Sequence, residues 1–213
     1  MAVLVYIESE ENKFKKTAYE ALSYGKALAD KMGSKVSGLV INCSDTDGLK
    51  KYGADKIITI DNPDFQKFSS KKYSHAIAEV IKSENSSVVI LSSSANSKFI
   101  GAHLSGITDA AYVSNVVGIP ESISPFVIKR TCFTNKAFSS TEMIDGLKII
   151  SVSSNSFGMI ESFNDSTVES FSPEKVDSNQ RTIKIENETG SITIADTDIV
   201  VSAGRGLKGT EKW

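Results

Sequence analysis

Little in this chain can staple, break or pierce. Of its 213 residues two are cysteine, four proline, two histidine and one tryptophan. Cys43 and Cys132 lie far apart in sequence and make no metal-spaced pair. That excludes a disulfide framework and reads as two buried thiols in a reducing compartment. No apolar run approaches the ~20 residues of a membrane span. The first residues pass straight into Val3-Leu4-Val5-Tyr6-Ile7 with no basic stretch before them, so neither a signal nor a transit peptide is expected, and a cytoplasmic location is the default. Lysine plus arginine number 24 against 26 aspartate plus glutamate, a net charge of -2. Nucleic-acid binding lacks the basic field it needs. Lys13, Lys15, Lys16 and the pair Lys71-Lys72 have acidic neighbours and read as solvated helix starts. No G-x-S-x-G elbow, H-E-x-x-H pair or aspartate cluster is present. His75 and His103 each fall within a predicted helix without a carboxylate or serine at suggestive spacing, so they read as packed or surface side chains. Met32, Met143 and Met159 read as apolar filler.

What is present is the profile of a globular protein, 40% hydrophobic and 23% charged. A core of this size buries roughly 70% of the unfolded surface. Val3 to Ile7 suits a strand buried on both faces. From Thr17 to Met32, residues Ala18, Leu22, Gly25, Ala29 and Met32 recur at helical period, and Gly33 stands where a C-cap glycine belongs. Val36 to Ile41 is a second strand and Lys56 to Ile60 a third, with a short helix through Leu49 to Tyr52 between them. Asp61-Asn62-Pro63 interrupts the pattern. Tyr73, Ala76, Ile77, Val80 and Ile81 mark a second long helix, Ser87 to Leu91 a fourth strand, and Phe99 to Ile107 a third helix. Alternation of this kind predicts right-handed crossovers and a parallel, doubly wound sheet.

After Thr108 the texture changes. Tyr112 to Ile119, Phe126 to Phe133, Ala137 to Met143 and Lys148 to Val152 read as strands, separated by Pro120, Ser124-Pro125, Asn135-Lys136 and Asp145-Gly146. Asp-Gly before "LKIISV" is a hairpin signal, so these strands are expected to be antiparallel. Residues 161 to 189 turn polar and read as a surface excursion or linker with one edge strand. Ile199 to Val201 then reads as a buried strand, followed by Gly204-Arg205-Gly206-Leu207-Lys208-Gly209. That G-x-G-x-x-G has the spacing that cradles a pyrophosphate, with an arginine shaped for bidentate phosphate contact. It lacks the helix and acidic residue that should follow, and a glycine-rich tail is the competing reading. "LSSSANSK" (Leu91 to Lys98) after the fourth strand can offer hydroxyls to a phosphate at a helix N-terminus, but without glycine it reads better as a serine-rich helix cap. Of Lys129-Arg130, on one strand, one side chain can face an anion or partner.

Several stretches together resemble the electron transfer flavoprotein alpha subunit. "DIVVSAGRGLKGTEKW" is similar to the opening of that family's FAD-binding domain. "AYVSNVVGI", "FVIKRTCFTNKAFSS", "VLVYIE" and "KKYGADKIITI" resemble successive strands of its first domain. The resemblance implies a three-layer α/β/α fold with a mainly parallel doubly wound sheet, HUP-like (adenine nucleotide alpha hydrolase-like), plus an antiparallel strand extension. It implies two parts: residues 1–190, the alpha N-terminal domain, and 191–213, the first strand and glycine turn of an otherwise missing FAD-binding domain. The chain is then an engineered or proteolysed fragment, or a truncated gene product. Arg205, flanked by Gly204 and Gly206, matches the family's FAD-contacting arginine. Ala203 departs from the usual glycine, and Ala102 and His103 stand where many members have proline and arginine.

The function implied is that of an electron carrier subunit with no catalytic residue and no metal. It takes electrons from acyl-CoA-type dehydrogenases of fatty acid beta-oxidation and passes them to a quinone oxidoreductase. The FAD is held with a beta subunit in a heterodimer, and this chain alone is expected to lack it. The competing reading is a stand-alone nucleotide-binding domain of universal-stress-protein type.

Overall fold

The computed structural model describes residues 2–10, 12–144, 146–180, 182–185, 199–204 and 206. They divide into a large unit, Met1–Gln180, and a small one, Arg181–Trp213.

The large unit opens with β1 (Ala2–Ile7), whose residues from Val3 on are all buried. Its alternation serves both faces. Val3, Val5 and Ile7 enter one apolar cluster, and Leu4 and Tyr6 the other. A two-residue ribbon, β2 (Ser9–Glu10) with β3 (Lys13–Phe14), leads to α1 (Lys16–Met32). The predicted stripe of α1 is buried at Ala18, Leu22, Gly25 and Ala29. Gly33 ends the helix at φ 61°, a left-handed cap that costs glycine nothing. Next come β4 (Lys35–Ile41) and a 3₁₀ helix, Asp47–Lys51, which overlaps the short helix expected through Leu49 to Tyr52. β5 (Lys56–Ile60), α2 (Ser70–Glu84), β6 (Ser86–Ser92) and α3 (Ala95–Thr108) complete the alternating half. α1 packs against one side of the sheet and α2 with α3 against the other, which makes three layers.

The second half holds β7 (Ala111–Val116), β8 (Ser122–Ile123), β9 (Phe126–Cys132), β10 (Ala137–Met143), β11 (Lys148–Val152) and β12 (Thr167–Ser170). The sheet runs β10-β9-β7-β11-β6-β1-β4-β5-β12, with β8 paired to β9. β9 and β10 form the expected antiparallel hairpin. Lys148 to Val152 corrects the expectation. β11 does not turn back on β10; it lies inside the sheet, parallel to both β6 and β7. Its continuous run Ile149, Ile150 and Val152 is buried on both faces, which is the pattern of a parallel strand and outweighs the turn signal ahead of it.

The polar stretch yields its edge strand in β12, parallel to β5. Lys56 of β5 binds Glu84 at 2.9 Å and Glu169 of β12 at 2.8 Å. The hydrogen bonds to Glu169 and then Glu84 raise the Lys56 pKa. A raised folded value stabilises below the ordinary lysine value of 10.5 and is lost as pH climbs through the folded value. Lys56→Met is expected to cost no more than ~1 kcal/mol, because Glu169 is exposed. Protection factors of the Thr167 to Ser170 amides should fall in the variant at neutral pH, and in the parent chain only as pH climbs through the raised Lys56 value. Unchanged protection would show that the ion pair does not hold this edge.

Cys43 is buried as expected, whereas Cys132, at the end of the hairpin strand, is partly exposed. Both are free thiols.

Candidate functional site

In an open α/β sheet, ligands settle beyond the carboxyl ends of the strands, where the winding reverses. Here that point lies between β1 and β6, since α1 leaves on one face and α2 and α3 return on the other. Glu8 follows the last residue of β1, and Ser92 closes β6. Ser94 is the N-cap of α3, its hydroxyl accepting from the Ser97 N–H at 3.0 Å. The serine-rich stretch is therefore a cap, and its geometry explains why α3 starts at Ala95, ahead of the predicted Phe99.

The crevice already contains an anion. Glu8 is 7% exposed. Ser92 Oγ donates to its Oε2 at 3.0 Å and Ser97 Oγ at 3.4 Å, and Ser151 Oγ braces the Ser92 carbonyl at 2.7 Å. The charge is felt nearby. Burial pushes the Tyr73 phenol up to about 12, with Glu8 adding to it. Tyr6 rises well above its usual value through burial first, then Tyr73 and Glu8.

A second carboxylate fills the other anion-binding shape of this edge. After β11 the chain reads Ser153-Ser154-Asn155-Ser156-Phe157-Gly158. Asn155 at φ 56° and Gly158 at φ 87° turn successive N–H groups inward, the conformation of a backbone nest. Glu20 of α1, 4% exposed, accepts all four: Asn155 at 2.8 Å, Ser156 at 2.9 Å, Phe157 at 2.8 Å and Gly158 at 2.9 Å. Ser23, one turn on, accepts from the Ile160 N–H at 3.0 Å. Phe157 meets Tyr24 edge-on, with ring centroids 5.3 Å apart. Helix α1 thus pins the segment that leaves β11.

An open cavity of about 640 Å³ lies at the ends of β4 and β5, lined by Asn42, Cys43, Ser44, Thr59, Asp61 and Gln66 among others. No lining residue is cationic, and Asp61 is acidic. This edge therefore offers a phosphate group two carboxylates in its natural seats and a third beside the cavity. Millimolar AMP or ATP is expected to give no saturable heat in titration calorimetry. For Glu8→Gln, which keeps the shape and loses the charge, the expected cost is about 1 kcal/mol. A micromolar nucleotide affinity in the parent chain would contradict the electrostatic argument.

The remaining sequence candidates are placed as follows. Gly204 and Gly206 are exposed, and Arg205 lies outside the described residues. Ile199, Val200 and Val201 form no strand and are 84%, 51% and 83% exposed, so the expected burial is not met. A lone aliphatic segment has no sheet to enter among the described residues of its unit. A dinucleotide needs a pocket that covers most of its surface. Of this turn only Gly204 and Gly206 lie among the described residues. His75 and His103 face each other across α2 and α3, ring centroids 6.1 Å apart. Among the described residues no three His, Cys, Asp or Glu side chains converge on a metal position. Lys129 lies over the Phe138 ring at 4.5 Å, and Arg130 is half-buried. Also among the described residues, no helix is long and apolar enough to cross a membrane.

Fold and edge together define a doubly wound α/β domain whose nucleotide seats are closed by its own side chains. The electron transfer flavoprotein domain family matches residues 3–179, and the chain belongs to that family. It is 24% identical to the electron transfer flavoprotein subunit alpha of Bacillus subtilis (strain 168), an alignment covering 98% of this chain and 66% of the relative. It is 30% identical to the acryloyl-CoA reductase electron transfer subunit beta of Anaerotignum propionicum over 42% of this chain and 25% of that one. Protein FixB of Clostridium saccharobutylicum is 29% identical over 48% of this chain and 30% of its own length. The chain thus spans about two thirds of the alpha subunit that it matches end to end. The HUP-like three-layer fold agrees with the family.

Proposed function

We propose that this chain is the partner-binding part of an electron transfer flavoprotein alpha subunit, a carrier that performs no acid-base catalysis. What supports the reading is a family match running through nearly the whole large unit, on a domain whose crevice holds Glu8 and whose backbone nest after β11 holds Glu20. A domain that has closed its ligand seats serves as a scaffold. Redox chemistry belongs to FAD, which the complete protein holds with a beta subunit, and protein groups position and tune that cofactor. Electrons would come from acyl-CoA-type dehydrogenases and leave to a quinone oxidoreductase. The relative named for an acryloyl-CoA reductase is consistent with acyl-CoA chemistry at one end. Gly204, Arg205 and Gly206 are the residues assigned to the pyrophosphate of FAD. Alone they contact too little of it, so this chain by itself binds FAD weakly or not at all.

The test is co-expression with an electron transfer flavoprotein beta subunit, followed by size exclusion and flavin absorbance. A stoichiometric complex, with the isolated chain colourless, is the expected result. Flavin at near one equivalent on the isolated chain defeats the cofactor assignment. Failure to bind any beta subunit, together with saturable AMP or ATP binding, favours the universal-stress-protein reading.

A further inference from the structure

The two ends of the main sheet are built differently. At one end β12 is four residues long and carries Glu169, which is tied to Lys56. A short, charged edge of this kind resists further strands. At the other end β10 runs for seven residues, Ala137–Met143, with no proline and a single charge, Glu142. Its outer side pairs with no strand among the described residues. Around it stand three exposed large apolar side chains: Phe138 at 64%, and Phe133 and Ile144 at 77% each.

We propose that the outer edge of β10 pairs antiparallel with β10 of a second copy of this chain, about a twofold axis at Ser140. The charges and apolar groups select that occupant and register. Successive residues of a strand face opposite sides, so Phe138, Ser140 and Glu142 share the solvent face. The β9–β10 pairing sets Lys129 opposite Ser140 on that face, and its ammonium lies over Phe138 at 4.5 Å. A twofold axis at Ser140 brings Glu142 of the second copy opposite Phe138, within reach of Lys129. The pair forms twice by symmetry, as an isologous contact requires. The same register sets Ile144 opposite Lys136, whose ammonium lies 5.6 Å from the Phe133 ring. Phe138 and Ile144 thereby enter the seam, and Ser139 meets Thr141 on the other face. One strand pair buries less than the ~1,200 Å² of a standard interface, so the dimer is weak and dependent on concentration.

Directly opposed residues in an antiparallel pair have Cα atoms about 4.5–5.5 Å apart. That is within the ~4.4–6.8 Å span of a disulfide. Sedimentation velocity of the purified chain is expected to show a dimer growing between about ten and several hundred micromolar. Glu142→Lys should weaken it about tenfold by setting lysine against lysine, and the double variant Lys129→Glu/Glu142→Lys should restore it. In a Cys132→Ser background, Ser140→Cys should form a covalent dimer under mild oxidation, while Ser170→Cys on the opposite edge stays monomeric. Recovery in the charge-swapped double variant separates lost pairing from lost folding. A chain monomeric throughout that range, with no Ser140→Cys dimer, overturns the proposal and leaves the edge to a different chain. A dimer indifferent to the charge swap and refractory to Ser140→Cys crosslinking overturns it equally, because another surface would then be responsible.

Discussion

Glu20→Ala is expected to cost about 4 kcal/mol and to lower the melting temperature by on the order of 10 °C. The size follows from what the carboxylate holds. Four backbone N–H groups converge on it at 2.8–2.9 Å, and it is 4% exposed. Hydrogen bonds to a charged acceptor contribute roughly 1.5–3 kcal/mol each, and donors left without a partner in a buried position add a penalty. Full additivity over the four bonds would give roughly 6–12 kcal/mol, well above the stated figure. Water entering the vacated space replaces part of it, because Asn155 to Gly158 lie near the surface. Glu20→Gln retains one oxygen but turns an amide N–H₂ toward donors, so about half the loss should remain. Thermal melts of the three proteins and amide exchange at Asn155 to Gly158 are the measurements. A Glu20→Ala protein melting within about 2 °C of the parent would mean that the nest does not hold the segment that leaves β11.

The same residue shows where sequence reading stops. Alternation of apolar runs with helical stripes located β1, α1, β4, β5, α2 and β6 because each obeys one period over its whole length. β10 and β11 were also delimited by their turn residues. The sequence misleads at β11, where the four-residue link with Asp145-Gly146 at its centre resembles a hairpin turn. The buried pair Ile149-Ile150 was the contrary signal, since a half-exposed hairpin strand would alternate. Glu8 and Glu20 carry no local signal, because a single glutamate at a strand end or on a helix looks like surface. Their meaning comes from groups far along the chain: Ser92 and Ser97 for Glu8, residues 155 to 158 for Glu20. The glycine motif at 204–206 is a strong local pattern of which only Gly204 and Gly206 lie among the described residues, both exposed.

Gly25→Leu is expected to be still more damaging, at about 4–5 kcal/mol, because Gly25 sets how closely α1 approaches the sheet. A Cβ built on it would lie 2.3 Å from Val5 Cγ2 and 3.4 Å from Val36 Cγ2. Even Gly25→Ala tests the point, since two effects of opposite sign compete. Alanine gains about 1 kcal/mol of helix propensity over glycine. Forcing a methyl into a full core costs about 1–3 kcal/mol, and valine, stiff at its only side-chain torsion, cannot swing aside. Overpacking wins, and a net loss of about 1 kcal/mol is expected. Val5→Ala alone leaves a cavity and costs about 2–3 kcal/mol. Together the two changes fit each other, so the double variant should be more stable than the sum of the singles by about 1–2 kcal/mol. Lifting α1 also withdraws Glu20 and Ser23, which ride on the same helix, so Gly25→Leu should speed amide exchange at residues 155 to 160 as well. Strict additivity in the Gly25→Ala and Val5→Ala cycle would show that this contact does not fix the height of the helix.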